Sequence, residues 1–233
     1  MELPPVARDL LATGQHVVDA ARELPRRRIA AISAGAAFAV VLLLGLLVRI
    51  ALIRDEIDVE WMDEILENRT PGLEVPARIL DFLGGGWFAI AAVPIAVAVV
   101  FLIAKRPRAA LLFVLASAVS AGIVQGLKVL YSRARPEDIL LDLTSGAFPS
   151  GHVANAATIA VLLTLLLARG WVLIPGIAYV VLMALSRTYL GAHWVTDTIG
   201  GALLGAAVAL AAWAVAAPAI RRERAGRAAS VGS

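Results

Sequence analysis

Residues 29–48 form a run with no charged side chain, about the length needed to cross the hydrocarbon core of a bilayer as one helix. It is too long for the core of a signal peptide, so it reads as a retained first span. Five more runs follow, at 87–104, 109–130, 153–168, 171–185 and 194–217. Sixty per cent of the residues are hydrophobic, more than the surface of a water-soluble domain can hide. In lipid the backbone must satisfy its own polar groups, which leaves helices for runs of this length. The predicted fold is therefore all-α: a polytopic membrane protein of six transmembrane helices in one bundle.

The bundle is predicted over 29–220, between polar tails at 1–28 and 221–233, the second read as disordered. Pro94 is expected to kink the second span. Residues 54–86 form a long acidic connection. There Ile57, Trp61, Met62, Ile65 and Leu66 recur at helical spacing opposite Asp58, Glu60, Asp63, Glu64 and Glu67. That pattern fits either an amphipathic helix at the membrane interface or a connector packed on its neighbours. Val75, Ile79, Leu80 and Leu83 suggest a second short helix before Gly84-Gly85-Gly86. Gly201 and Gly205, four apart in the sixth span, predict close helix packing inside the bundle.

The 21 Lys and Arg residues are unevenly distributed. With six crossings, the two tails and the turns at 105–108 and 169 share one side and hold thirteen of them; the other side holds Arg54, Arg69, Arg78, Lys128, Arg133, Arg135 and Arg187, with Arg49 expected to snorkel from the far end of the first span. The positive-inside rule then puts both termini in the cytoplasm and the 131–151 loop outside, in a cell membrane. The pI near 9.8 is explained by these span-flanking arginines, with no nucleic acid required. The chain has no cysteine, which excludes disulfides, a thiolate nucleophile and Cys-ligated metal.

Three polar clusters fall on the predicted outer side. Lys128 to Pro136 reads KVLYSRARP, with Lys128 and Arg135 seven apart at the end of a span. Two cations so held are able to contact different oxygens of one phosphate, and they also fit simple snorkelling. Phe148-Pro149-Ser150-Gly151-His152 opens the fourth span. A helix start offers free N–H groups and the positive end of its dipole to an anion, with the Ser150 hydroxyl as an added donor; an ordinary Ser cap fits as well. The third cluster runs from Ser186-Arg187 to His193 and Asp197. His193 and Asp197, four apart, are predicted on one helix face, where a carboxylate orients an imidazole; an interfacial ion pair fits too. Together the clusters supply three cations (Lys128, Arg135, Arg187), the donors Ser150 and Gly151, and two histidines. That inventory suits phosphoryl transfer, in which positioning and charge stabilisation dominate. His193, with its Asp197 partner, is the candidate nucleophile, and His152 the candidate acid. Tyr131 and Tyr189 flank the clusters as candidates for a headgroup pocket.

The three clusters resemble the signature of the type 2 phosphatidic acid phosphatase family, the membrane relatives of vanadium haloperoxidases. Its K-x6-R-P, P-S-G-H and S-R-x5-H-x3-D motifs read here Lys128…Arg135-Pro136, Pro149-Ser150-Gly151-His152 and Ser186-Arg187…His193…Asp197. The resemblance implies a phosphohistidine on His193, oriented by Asp197, with His152 as acid. It implies that Lys128, Arg135, Ser150, Gly151 and Arg187 hold the phosphate, and that vanadate mimics its five-coordinate state. No metal or other cofactor is implied. Ser186 is left with a structural or hydrogen-bonding role. The expected partners are membrane lipids and a phospholipid or polyprenyl phosphate or diphosphate, an undecaprenyl-type diphosphate first and phosphatidic acid or phosphatidylglycerophosphate second. A transporter is a competing class, but the charges gather at one face, without an inverted repeat. A catalytically silent relative is another, against which the complete motif set argues.

Overall fold

The structure, a computed structural model, describes residues 5–50 and 56–231, with side chains from residue 24 to 227. Arg54, counted above on the outer side, and the ends of both tails lie outside the described residues. The described residues form eight α-helices: α1 (Pro5–Arg49), α2 (Ile57–Glu67), α3 (Pro71–Gly84), α4 (Val93–Ile103), α5 (Pro107–Tyr131), α6 (Gly151–Leu167), α7 (Leu173–Tyr189) and α8 (Val195–Val231). A π-helical turn, Phe88–Ala92, leads into α4. Each predicted span has its helix, and so do both predicted segments of the 54–86 connection.

Four helices, α1, α5, α8 and α7 together with the 3-10 turn Gly170–Val172 that leads into it, are long and apolar enough to cross a membrane. A fifth crossing needs α3 joined to Phe88–Ile103, a pair bent by 48°. That bend falls at Gly84–Trp87; Pro94 sits in the first turn of α4, directly after the π-helical turn. Helix α6 has 17 residues, or roughly 25 Å of rise, short of a full hydrocarbon core. It is cut off at one end by Pro149 and at the other by Ala168, whose backbone is left-handed.

The packing is that of a protein whose solvent is lipid. Large side chains such as Ile32, Ile103, Val129, Ile174 and Val215 point outward, whereas the interior is rich in alanine. Small residues let helix axes approach closely where no hydrophobic effect drives them together. Helix α8 is central, touching α1, α2, α5, α6 and α7. Its Gly205 lies against α6 so closely that a Cβ there would fall 2.1 Å from the carbonyl oxygen of Ala154. At Gly201 a Cβ would fall 2.4 Å from the carbonyl of Ser150. These two glycines therefore bring the start of α6, with Ser150, onto the start of α8, with Asp197.

Residues 221–231 are helical, where the sequence suggests a disordered tail. Helix α8 continues through it because its side chains find partners: Glu223 accepts from the backbone of Arg108 at 2.6 Å, and Arg224 donates to the carbonyl of Leu165 at 3.0 Å. At the opposite end Arg49, expected to snorkel, donates instead to the free carbonyls of Leu130 and Tyr131 at 2.9 and 3.2 Å, closing the end of α5.

Helix α2 is turned away from its predicted orientation. Asp58, assigned to the polar face, is fully buried beside Met62, while Ile57 and Trp61 are exposed. In α3 the inward line is Ala77, Asp81 and Gly84, and Leu73, Val75, Ile79 and Phe82 face outward. In both helices an aspartate that a polar/apolar pattern assigns to solvent is drawn inward by an arginine.

Replacing Gly205 with Leu must push α8 off α6. We expect a loss of about 1–3 kcal/mol or more, read as a lower unfolding midpoint in detergent; an unchanged midpoint would contradict this packing.

Candidate active site

The site lies where the C-terminal ends of α5 and α7 meet the N-terminal ends of α6 and α8. A cavity of about 170 Å³ opens there, and Lys128, Arg135, Gly151, His152, Arg187 and His193 all line it. Ser150 and Asp197 are fully buried. Residues from all three sequence clusters therefore surround one space. Tyr131 and Tyr189 do not line it. The hydroxyl of Tyr131 is spent on the carbonyl of Leu42, at 2.9 Å, and that of Tyr189 on the backbone of Thr70.

Ser150 occupies the cap position of α6, yet its hydroxyl makes no capping bond and has no partner although buried. Its backbone N–H donates to the carbonyl of Asp197 at 2.9 Å, tying the starts of α6 and α8 together. An orphaned, buried hydroxyl beside a helix N-terminus is a donor waiting for an anion. Gly151 is the first residue of the helix, where the N–H has no intrahelical acceptor. The Ser186 hydroxyl, at the end of α7, is likewise buried without a partner.

Arg187 is fully buried in the last turn of α7. Its Nη1 donates to Asp81, while Nε and Nη2 have no partner. That free edge is the one a guanidinium uses for bidentate contact with a phosphate. Lys128 donates to the carbonyl of Gly146. Arg135 donates through Nε to the carbonyl of Ser145 at 3.0 Å, and through Nη1 to that of Ala192. From sequence both cations suited either phosphate contact or snorkelling. Some of their donors in fact anchor the loops that carry the other two clusters.

His193 and Asp197 do not share a helix face. Helix α8 begins at Val195, so His193 lies in the preceding turn. The helix starts there because Asp197, in its first turn, accepts the backbone N–H of Trp194 at 2.9 Å, as the acidic member of a capping box does. Nδ1 of His193 still lies 3.5 Å from Oδ2 of Asp197, close enough for charge to act but beyond a good hydrogen bond. Burial first, and then the charges of Arg187, Lys128 and Arg135, hold the His193 imidazole well below its ordinary pKa. It is therefore neutral at physiological pH, the form in which a ring nitrogen attacks.

Asp197 is itself held by a residue that the motifs do not include. Arg133, 8% exposed, donates from Nη1 to Asp197 and, at 2.8 Å, to Thr196; from Nη2 it donates to Asp58 at 2.6 Å. Asp58 in turn accepts the backbone N–H and the hydroxyl of Thr196, at 2.9 and 2.6 Å. The available signal was an arginine inside the first motif, two residues before Arg135. Nothing in the sequence paired it with an aspartate 75 positions away. Among the described residues no three His, Asp or Glu side chains gather as a metal-ligand set.

Residues 109–221 match the family model described as the PAP2 superfamily. The matched segment makes up 113 of the 233 residues and carries all three motifs. The chain's relatives include a protein named undecaprenyl-diphosphatase from Sulfolobus acidocaldarius, 47% identical over 62 residues, which are 27% of this chain and 30% of that protein. A phosphatidylglycerophosphatase B from Bacillus subtilis is 37% identical over 89 residues, 34% of this chain and 44% of that one. The chain thus spans less than half the length of either relative. Among solved structures, a transmembrane PAP2-type phosphatidylglycerolphosphate phosphatase from Bacillus subtilis superposes with a TM-score of 0.65 at 27% identity, covering 75% of this chain and 92% of that one. LpxE from Aquifex aeolicus superposes with a TM-score of 0.59 at 26% identity, covering 69% and 97%. Asp58 and Asp81 fall outside the segment matched by the PAP2 family model.

Removing Arg133 would strand two buried carboxylates. Arg133→Leu is expected to cost about 3–5 kcal/mol of stability, measured by unfolding in detergent. A variant as stable as the parent would show that the pair does not brace Asp197.

Proposed function

We propose that this chain is an integral membrane phosphatase that removes phosphate from lipid headgroups through a phosphohistidine on His193. One observation carries the reading: two histidines, one neutral through burial, line the same cavity as three cations, and the cations keep an orphaned guanidinium edge and an orphaned hydroxyl beside them. Such a cavity is built to receive a tetrahedral anion and to stabilise the charge that develops during transfer.

In the first step the phosphoryl group sits among Lys128, Arg135, Arg187, Ser150 and the N–H of Gly151. With Nδ1 of His193 turned to Asp197, Nε2 attacks phosphorus. The bond to the leaving oxygen breaks, the bridging oxygen of a departing lipid monophosphate in a diphosphate or the alcohol oxygen in a monophosphate, and His152 gives that oxygen a proton. In the second step His152 takes a proton from water, the resulting hydroxide attacks phosphorus, and inorganic phosphate leaves as His193 is restored. Side-chain cations and N–H donors supply the charge stabilisation.

The preferred substrate in this reading is an undecaprenyl-type polyprenyl diphosphate, which the name of the archaeal relative supports. A phosphatidic acid or phosphatidylglycerophosphate substrate is the second reading, the latter supported by the phosphatidylglycerophosphatase names from Bacillus subtilis. We also read six crossings, with α6 and the bent α3–α4 pair as the two irregular ones. Both termini are then cytoplasmic and the site faces outward in a cell membrane. The division of the 21 basic residues, thirteen on the cytoplasmic side and eight on the other, supports this orientation.

Phosphate release from undecaprenyl diphosphate by purified protein tests the proposal. Release is expected to survive EDTA and to fall by about a thousandfold or more in His193→Ala. Because the nucleophile must be neutral and its pKa is depressed, kcat/KM should not fall as pH drops through about 6.5, the ordinary imidazole value, and protonation of the acid His152 only favours the reaction there. Release that needs added metal, persists in the variant or collapses near that pH contradicts the scheme.

A further inference from the structure

Asp81, contributed by α3, meets two residues of the site at once. Its Oδ1 lies 3.0 Å from Nε2 of His152 and accepts a short hydrogen bond from Nη1 of Arg187. Its backbone carbonyl lies 3.1 Å from the same ring nitrogen. The α3 backbone can come this close because residue 85 has no side chain: a Cβ on Gly85 would fall 2.0 Å from Nε2 of His152. The imidazole is thus fixed from one side by a carboxylate, a carbonyl and a bare stretch of backbone.

Both groups facing Nε2 are acceptors, so Nε2 carries a proton. Nδ1 is then the ring nitrogen left to serve the cavity that His152 lines. His193 is held the other way round, with Nδ1 toward its carboxylate and Nε2 free. The two histidines are therefore each backed by an aspartate, through opposite nitrogens. The same Asp81 oxygen occupies Nη1 of Arg187 and leaves the Nε/Nη2 edge unpartnered.

We propose that Asp81 is a positioning residue for the general acid: it holds Nε2–H of His152 so that Nδ1 delivers the proton to the departing lipid oxygen, and it turns the free edge of Arg187 to the phosphoryl group. As the phosphorus–oxygen bond breaks, the Nδ1 proton moves to the leaving oxygen. His152 is left neutral, with its Nε2 proton still donated to Asp81, and Asp81 stays ionised throughout. The proposal rests on the reading of His152 as the acid in phosphoryl transfer.

A merely structural role and a role in proton delivery differ in how they respond to the leaving group. Nitrophenolate departs without a proton, whereas the alkoxide of a lipid does not. In Asp81→Asn, kcat/KM for a soluble short-chain phosphatidic acid should fall by on the order of 10- to 100-fold more than kcat/KM for nitrophenyl phosphate. Equal losses on the two esters, or no loss, overturn the proposal. Because Arg187 loses its counter-ion in that variant, at a cost to folding, Gly85→Ala provides a second test. It keeps the carboxylate and displaces the ring, and it should show the same selective loss; equal losses there also overturn the proposal. If the parent protein hydrolyses neither ester, the phosphatase reading falls and this assignment falls with it. An active parent with variants blind to the leaving group sinks the Asp81 assignment alone.

Discussion

Concentrated positive charge is the constraint on which this structure turns. Lys128, Arg135 and Arg187 line one cavity of about 170 Å³ at one end of a bundle whose outer surface is apolar. Like charges brought together out of bulk water repel strongly and lose hydration, so they stay only where other groups compensate them. The compensation is specific: loop carbonyls of Ser145, Gly146 and Ala192 for Lys128 and Arg135, and the Asp81 carboxylate for Arg187. What remains unsatisfied, an edge of Arg187 and the hydroxyl of Ser150, is what an incoming phosphate would satisfy.

Backbone geometry serves the same end. Two helix N-termini, those of α6 and α8, have to converge for Ser150 and His193 to share a space. Gly201 and Gly205 permit that approach, and the bond from Ser150 N–H to the Asp197 carbonyl fixes it. The short α2–α3 connection then adds a second layer. Asp58 supports Asp197 through Arg133, and Asp81 engages His152 directly. A segment that reads as an accessory between two spans thus supplies a carboxylate to each half of the candidate histidine pair.

Much of this was legible in the sequence, because the signals were local. Apolar runs located the helices of the bundle, and the three motifs named six of the residues lining the cavity. The spacing of Val75, Ile79, Leu80 and Leu83 marked α3 as a helix. What the sequence hid depends on distant partners. Asp58 looked solvent-facing by helical periodicity, and only the fold brings Arg133 and Thr196 to it. His193 was expected on a helix because of its spacing to Asp197, but that carboxylate starts α8 by taking the Trp194 N–H, which leaves His193 in the turn. The closing basic segment read as disordered because its partners, on α5 and α6, are more than fifty residues away.

The central claim is that one phosphorus atom becomes bonded to one identified nitrogen. Rapid alkaline quenching of the purified protein during turnover of a phosphorus-labelled lipid phosphate, followed by peptide mapping, tests it directly. The account predicts an acid-labile, alkali-stable label on His193 and none in His193→Ala. Label on any other residue, or steady phosphate release with no labelled histidine at any quench time, would contradict it.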